Sequence, residues 1–102
     1  MDNHKQQKVL DHFIGGGKLT VSDCFYMAQT HDLRRIVDRL RHNHPIADRW
    51  ARVDGTKFKE YFMARSIQDI DNSDISEELK ARLRSIFLAH YYVGKQEMAV
   101  GA

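Results

Sequence analysis

Asp54-Gly55-Thr56 stands between two runs in which apolar and polar residues alternate, "IADRWARV" from Ile46 and "KFKEYFM" from Lys57. Asp-Gly supplies the positive backbone angles of a tight reversal whose twist matches that of paired strands. The pattern predicts a β-hairpin, with Trp50, Phe58, Tyr61 and Phe62 as its strand residues. Pro45, just upstream, has no amide proton and prevents a helix from running into it. A chain with this feature is not all-helical, and its class depends on what surrounds the hairpin.

Helices surround it. In "HKQQKVLDHFI" (residues 4–14), Val9, Leu10, Phe13 and Ile14 form one apolar stripe, and Gly15-Gly16-Gly17 stops the helix by reaching the left-handed conformation. Thr20 is placed to cap a short second helix, "VSDCFYMAQ", with Asp23 near its positive end. Thr30 is placed to cap a third, "HDLRRIVDRLRHN", in which Leu33, Ile36, Val37 and Leu40 make a buried stripe. Asn43 is the expected left-handed C-cap. After the hairpin, "SIQDIDNSD" is a polar connector in which Asp74 and Glu77 have capping-box spacing. A last helix is expected over about 75–93 with an apolar stripe at Ile75, Leu79, Leu83, Ile86 and Phe87, extended by His90, and Gly94 ends it.

The 102 residues suit one small core, and 42% hydrophobic with 29% charged residues is ordinary for a globular domain. No apolar run spans a membrane, and "MDNHKQQKVLDHF" has no hydrophobic signal core, so a cytoplasmic protein is expected. The single cysteine, Cys24, makes neither an internal disulfide nor a cysteine-rich zinc site. The net charge of +2 is unevenly spread: residues 31–59 carry eight Lys/Arg against four Asp, and residues 60–102 carry five against seven Asp/Glu. A positive middle favours an anionic partner.

Chemistry finds little support. The glycine triplet follows no strand and lacks the Lys-Ser/Thr ending of a phosphate loop. His42-Asn43-His44 spells the name of a nuclease family, but one metal clamped by two strands and a helix needs its ligands tens of residues apart. Ser22-Asp23-Cys24 contains nucleophile types with no base placed to activate them. No catalytic residue, metal ligand or cofactor is therefore expected.

A short helix, a tight turn and a second helix with a buried stripe and a basic face make a helix-turn-helix, and the hairpin that follows is its wing. The expected class is α+β, mostly α: three helices and a two-stranded hairpin wing, plus a C-terminal helix. In a duplex-DNA complex Thr30, His31, Arg34 and Arg35 would meet base edges, since arginine donates two bonds to guanine. Asp38 would accept from cytosine or orient an arginine. Arg41 and His42 would meet phosphate, and Arg52, Lys57 and Lys59 of the wing would grip the backbone.

The run from Gly15 to Met63 resembles the small winged helix-turn-helix domains common in bacteriophages and prophages. Gly16, Leu19, Thr20, Cys24, Leu33, Ile36, Leu40, Arg41, Pro45, Ile46, Trp50, Gly55, Lys57 and Tyr61 stand in the family's pattern, and the resemblance covers about residues 6–63. Gln29 replaces the usual turn glycine, and Asn43 the glycine that ends the recognition helix. The resemblance implies a sequence-specific DNA-binding regulator of transcription, found with the nucleoid when bound.

The domain would occupy residues 1–65, a connector 66–74 and the last helix 75–94, with 95–102 a disordered tail. The stripe of that helix suits either packing on its own chain or a homodimer through residues 75–93. Two alternatives stand beside regulation: an adaptor or inhibitor that docks on a host protein, and an accessory protein that bends DNA.

Overall fold

The computed structural model describes the backbone of residues 3–101 and the side chains of residues 4–90. The elements run α1 (Asn3–Ile14), β1 (Lys18–Leu19), α2 (Val21–Ala28), α3 (Leu33–Leu40), β2 (Ile46–Val53), β3 (Thr56–Met63), α4 (Ile67–Asp71) and α5 (Glu77–Gly101). The class is α+β, with five helices and one antiparallel sheet of three strands among the described residues, in the order β1-β3-β2. Two elements go beyond the sequence reading. β1 pairs Lys18 with Phe62 and Leu19 with Tyr61. α4 forms inside the expected connector, where the Ser66 side chain accepts the Asp69 amide.

Side chains alternate across the hairpin, so the sheet packs on both faces. Ile46 and Tyr61, with Leu19 of β1, close a core built from Val9 and Phe13 of α1, Cys24 and Ala28 of α2, and the Leu33, Ile36, Val37 and Leu40 stripe. The residues one step along, Ala47 and Phe62, face a second core with Ala64, Ile70 and Leu83. Ile75, Leu79, Ile86 and Phe87 pack against that second core. Among the described residues the apolar stripe of α5 thus packs on its own chain, one of the two uses expected for it. His90 does not belong to that stripe contact; it is exposed.

Local signals hold at several boundaries. Val53 pairs with Thr56 across a two-residue loop in which Asp54 and Gly55 have φ of 50° and 78°. That is the type I′ geometry asked of Asp-Gly. Gly16 has φ of 89°, and the amides of Gly15, Gly16 and Gly17 bond back to the last carbonyls of α1. Thr20 and Asp23 form a reciprocal capping box at the start of α2, each side chain 3.1 Å from the other's amide nitrogen.

Five boundaries differ. α3 starts at Leu33, with Asp32 at its N-cap, because the Thr30 hydroxyl accepts the Asp32 amide at 3.1 Å and closes a local turn instead. Gln29, not a glycine, takes the left-handed C-cap of α2 (φ 55°, ψ 44°). Asn43 is not left-handed: among the described residues the positive-φ positions other than glycine are Gln29 and Asp54. The chain leaves α3 through a tight turn in which the Asn43 and His44 amides both bond the Leu40 carbonyl. Ser76 rather than Asp74 caps α5, accepting the Leu79 amide, and the helix backbone passes Gly94 to end at Gly101. The side chains of 91–93 and the last residue of the expected tail lie outside the described residues.

Candidate nucleic-acid interface

A helix of eight residues with four on the buried side leaves its charges on two neighbouring stripes. Leu33, Ile36, Val37 and Leu40 point into the core. Arg34 and Asp38, one turn apart, face the sheet, and both act electrostatically on Tyr61. Arg35, Arg39 and His42 follow at helical spacing and are exposed. Arg39 was not among the residues chosen from sequence, although its place four after Arg35 is the signal that finds it.

The positions taken by the predicted contacts are unequal. Arg34, Arg35, Asp38, His42, Arg52 and Lys57 are exposed. Thr30 and His31 fall in the turn before α3; the His31 ring stacks on Phe25 at 4.3 Å, with 13° between the planes. Lys59 is half-buried, its Nζ 3.5 Å from Asp74 Oδ2 and 3.9 Å from Asp48 Oδ2. Arg41 departs from the sequence reading: only 5% exposed, it is turned inward. Its Nε donates to the Ile46 carbonyl at 2.9 Å and its Nη2 to Asp48 Oδ2 at 3.2 Å. A guanidinium held this way is not offered to phosphate.

The remaining cations sort by location. Lys18 and Arg49 share Glu60, Lys80 pairs with Glu77 and Arg84 with Asp71. Arg34, Arg35 and Arg39 on α3 and Arg52 and Lys57 near the hairpin tip have no carboxylate within ion-pair distance among the described residues. Exposed cations without a carboxylate partner among the described residues thus gather on α3 and the hairpin tip, while Lys8 on α1, Arg65 before α4 and Arg82 on α5 stand singly.

Between these two elements lies an open groove of about 620 Å³. Thr20, Val21 and Ser22 at the start of α2 form one end, Arg34 overhangs it, and Trp50, Phe58, Lys59 and Tyr61 of the hairpin line it. Trp50 is 48% exposed, and its position is set: Nε1 donates to Asp74 Oδ2 at 3.1 Å. That bond, then the charge of Lys59, holds the Asp74 carboxyl below the ordinary carboxylate range. The amines of Lys57 and Lys59 lie 4.5 and 4.8 Å from the indole ring centre, a cation–π arrangement. The sequence marked Trp50 as a strand residue and as part of the family's pattern; its place at the groove comes from the pairing of β2 with β3.

Other chemistry has little material. Burial, then the charge of Asp32, pushes the Cys24 thiol up, the opposite of an activated nucleophile. Among the described residues no three His, Cys, Asp or Glu side chains gather where they could share a metal ion, and no helix is long and apolar enough to cross a membrane. No family model, curated protein or solved structure matches this chain.

Proposed function

We propose that the protein is a non-enzymatic, sequence-specific double-stranded DNA-binding protein of winged helix-turn-helix type, a transcriptional regulator of a phage or prophage. The observation that carries the reading is a gathering of five cations with no carboxylate within ion-pair distance among the described residues: Arg34, Arg35 and Arg39 on α3, and Arg52 and Lys57 at the hairpin tip. A duplex presents dense phosphate charge, and neutralising it releases condensed counterions. The element order from α1 to β3, with a short strand between the first two helices, supports the winged form. α3 would lie in the major groove with Arg34, Arg35 and Arg39 toward bases and phosphates, and Arg52 and Lys57 would hold the flanking backbone. The regulatory role and phage origin rest on the family resemblance of residues 6–63.

Titration of a random-sequence duplex over a range of salt tests the reading. Each phosphate contact should contribute about −0.9 to the slope of log affinity against log salt. A flat response, or no binding at low salt, overturns it. Selection of duplexes from a random pool would then deliver the site, and its symmetry would report whether two copies bind.

A second reading, an adaptor that docks on a host protein, is favoured by one observation. Phe25 and Tyr26 on α2 are exposed, Tyr26 to 84%, and they touch each other edge to face. Aromatic residues presented together at a surface are common centres of protein interfaces. Loss of partner capture on Tyr26→Ala, with DNA affinity unchanged, would favour it.

A further inference from the structure

We propose that the groove between α2, α3 and the hairpin takes an unpaired nucleotide, its base stacked on Trp50, so that the protein engages single-stranded or locally opened DNA as well as duplex. The inference rests on the nucleic-acid reading above and names the form of DNA that this part of the surface recognises.

Three features meet in the groove. The first is an aromatic surface: Trp50, Phe58 and Tyr61 line it, and the Trp50 ring is half-exposed yet held by its bond to Asp74. A ring anchored by its polar edge is ready to stack without losing much freedom on binding. The second is cationic: Arg34 and Lys59 flank the same space, which suits the phosphate that accompanies a base. The third is size: about 620 Å³ lies within the range of about 300–1,000 Å³ usual for small-ligand sites. A rigid duplex cannot enter such a recess, because its bases are stacked on one another and its phosphates lie outside. An unpaired base has both faces free, and aromatic platforms flanked by cations are how single strands are held.

The two lysines on the indole differ in a way that serves this role. Lys59 is kept in place by Asp48 and Asp74. Lys57 touches the ring at 4.5 Å and has no carboxylate within ion-pair distance among the described residues. A base can displace the Lys57 amine from the ring, and the amine can then meet the nucleotide's phosphate.

Trp50 is the chain's single tryptophan, so its fluorescence reports the site directly. The probes are oligo-deoxythymidylate roughly eight nucleotides long and a blunt random duplex. Oligo-deoxythymidylate should quench Trp50 emission saturably. Trp50→Ala should weaken its binding about tenfold by anisotropy of a labelled strand, the worth of one stacked base. Trp50→Phe should keep most of the affinity, and blunt-duplex affinity should hold within about twofold, well inside the effect of a stacked base. Emission that does not move at saturating oligo-deoxythymidylate overturns the proposal, as does an equal loss for both ligands in Trp50→Ala. Duplex binding without single-strand binding overturns this inference and leaves the duplex reading standing. Single-strand binding with quenching but no duplex binding does the reverse.

Discussion

Arg41, in the turn after α3, and Asp48 of β2 form an ion pair with both side chains almost wholly sheltered, Nη2 to Oδ2 at 3.2 Å. Each makes a further bond. Arg41 also donates to the Ile46 carbonyl, and the other Asp48 oxygen accepts the Asp74 amide at 2.8 Å. Ser73 accepts the Asp48 amide and donates to the Asp69 carbonyl, which ties the strand to α4. The pair therefore sets how the helical layer, the hairpin and the C-terminal helices meet. Removing one partner leaves a buried charge, so Arg41→Ala should cost about 3–5 kcal/mol in urea unfolding. The double variant Arg41→Met with Asp48→Leu should lose less than the single variants combined. A loss below about 1 kcal/mol for Arg41→Ala, the level of a surface ion pair, would show that the pair does not hold the layers.

A second relationship gives a pH dependence. The rings of His44 and His90 meet edge to face at 6.2 Å, bringing α5 against the turn before β2. Burial, then the charge of His90, lowers the His44 pKa from 6.5. The unfolded chain therefore takes up a proton first as pH falls, so the folded state loses stability from about pH 6.5 down to the lower folded value and is level below it. Urea midpoints measured from pH 5 to 8 should fall on the acid side for the parent protein and less for His44→Gln. Equal slopes for the two would contradict the assignment.

Gln29 holds a left-handed backbone that costs a residue with a Cβ roughly 1–2 kcal/mol. Gln29→Gly removes that strain, less the added freedom of the unfolded chain, and should raise stability by up to about 1 kcal/mol, a few degrees in melting temperature. The bond from Lys5 to residue 29 uses the backbone carbonyl and survives the change. Gly55→Ala is the opposite case. A Cβ there meets nothing within 4 Å, so the expected cost of about 1 kcal/mol is that of φ alone. Thermal unfolding followed by circular dichroism measures both.

On DNA, Arg35→Ala and Arg39→Ala should change preference among selected sequences, by about 1–3 kcal/mol where an arginine reads a guanine. Lys57→Ala should weaken all duplexes alike and reduce the salt slope by about one contact. Arg41→Lys should act on folding stability and leave the salt slope unchanged, because the side chain is buried. A reduced slope for Arg41→Lys would return that residue to the interface.

Short-range features were legible because they depend on few residues. Asp54-Gly55 reverses the hairpin, Gly16 ends α1, and Thr20 with Asp23 starts α2, each through bonds within three or four positions. The helix stripe from Leu33 to Leu40 was equally plain, since burial of one face repeats at helical spacing. β1 escaped notice because two residues carry no period and become a strand only when Tyr61 and Phe62 arrive beside them. α4 is likewise too short for a stripe, and at Thr30 a bond to Asp32 won over a helix cap.

The candidate site divides the same way. Sequence by itself determined that α3 carries arginines opposite an apolar stripe and that a basic hairpin follows it. It also supplied the only tryptophan, on the first strand of that hairpin. Tertiary structure decided which of those charges remain available. Arg41 and Arg39 are two residues apart on one chain, yet Arg41 finds Asp48 in the interior while Arg39 meets solvent. Lys59 is held by Asp74, fifteen positions away, and Lys57 is left on the indole alone. A charge in the sequence becomes a contact surface only where folding brings no opposite charge to it, and the partners that decide this lie beyond the reach of any local pattern.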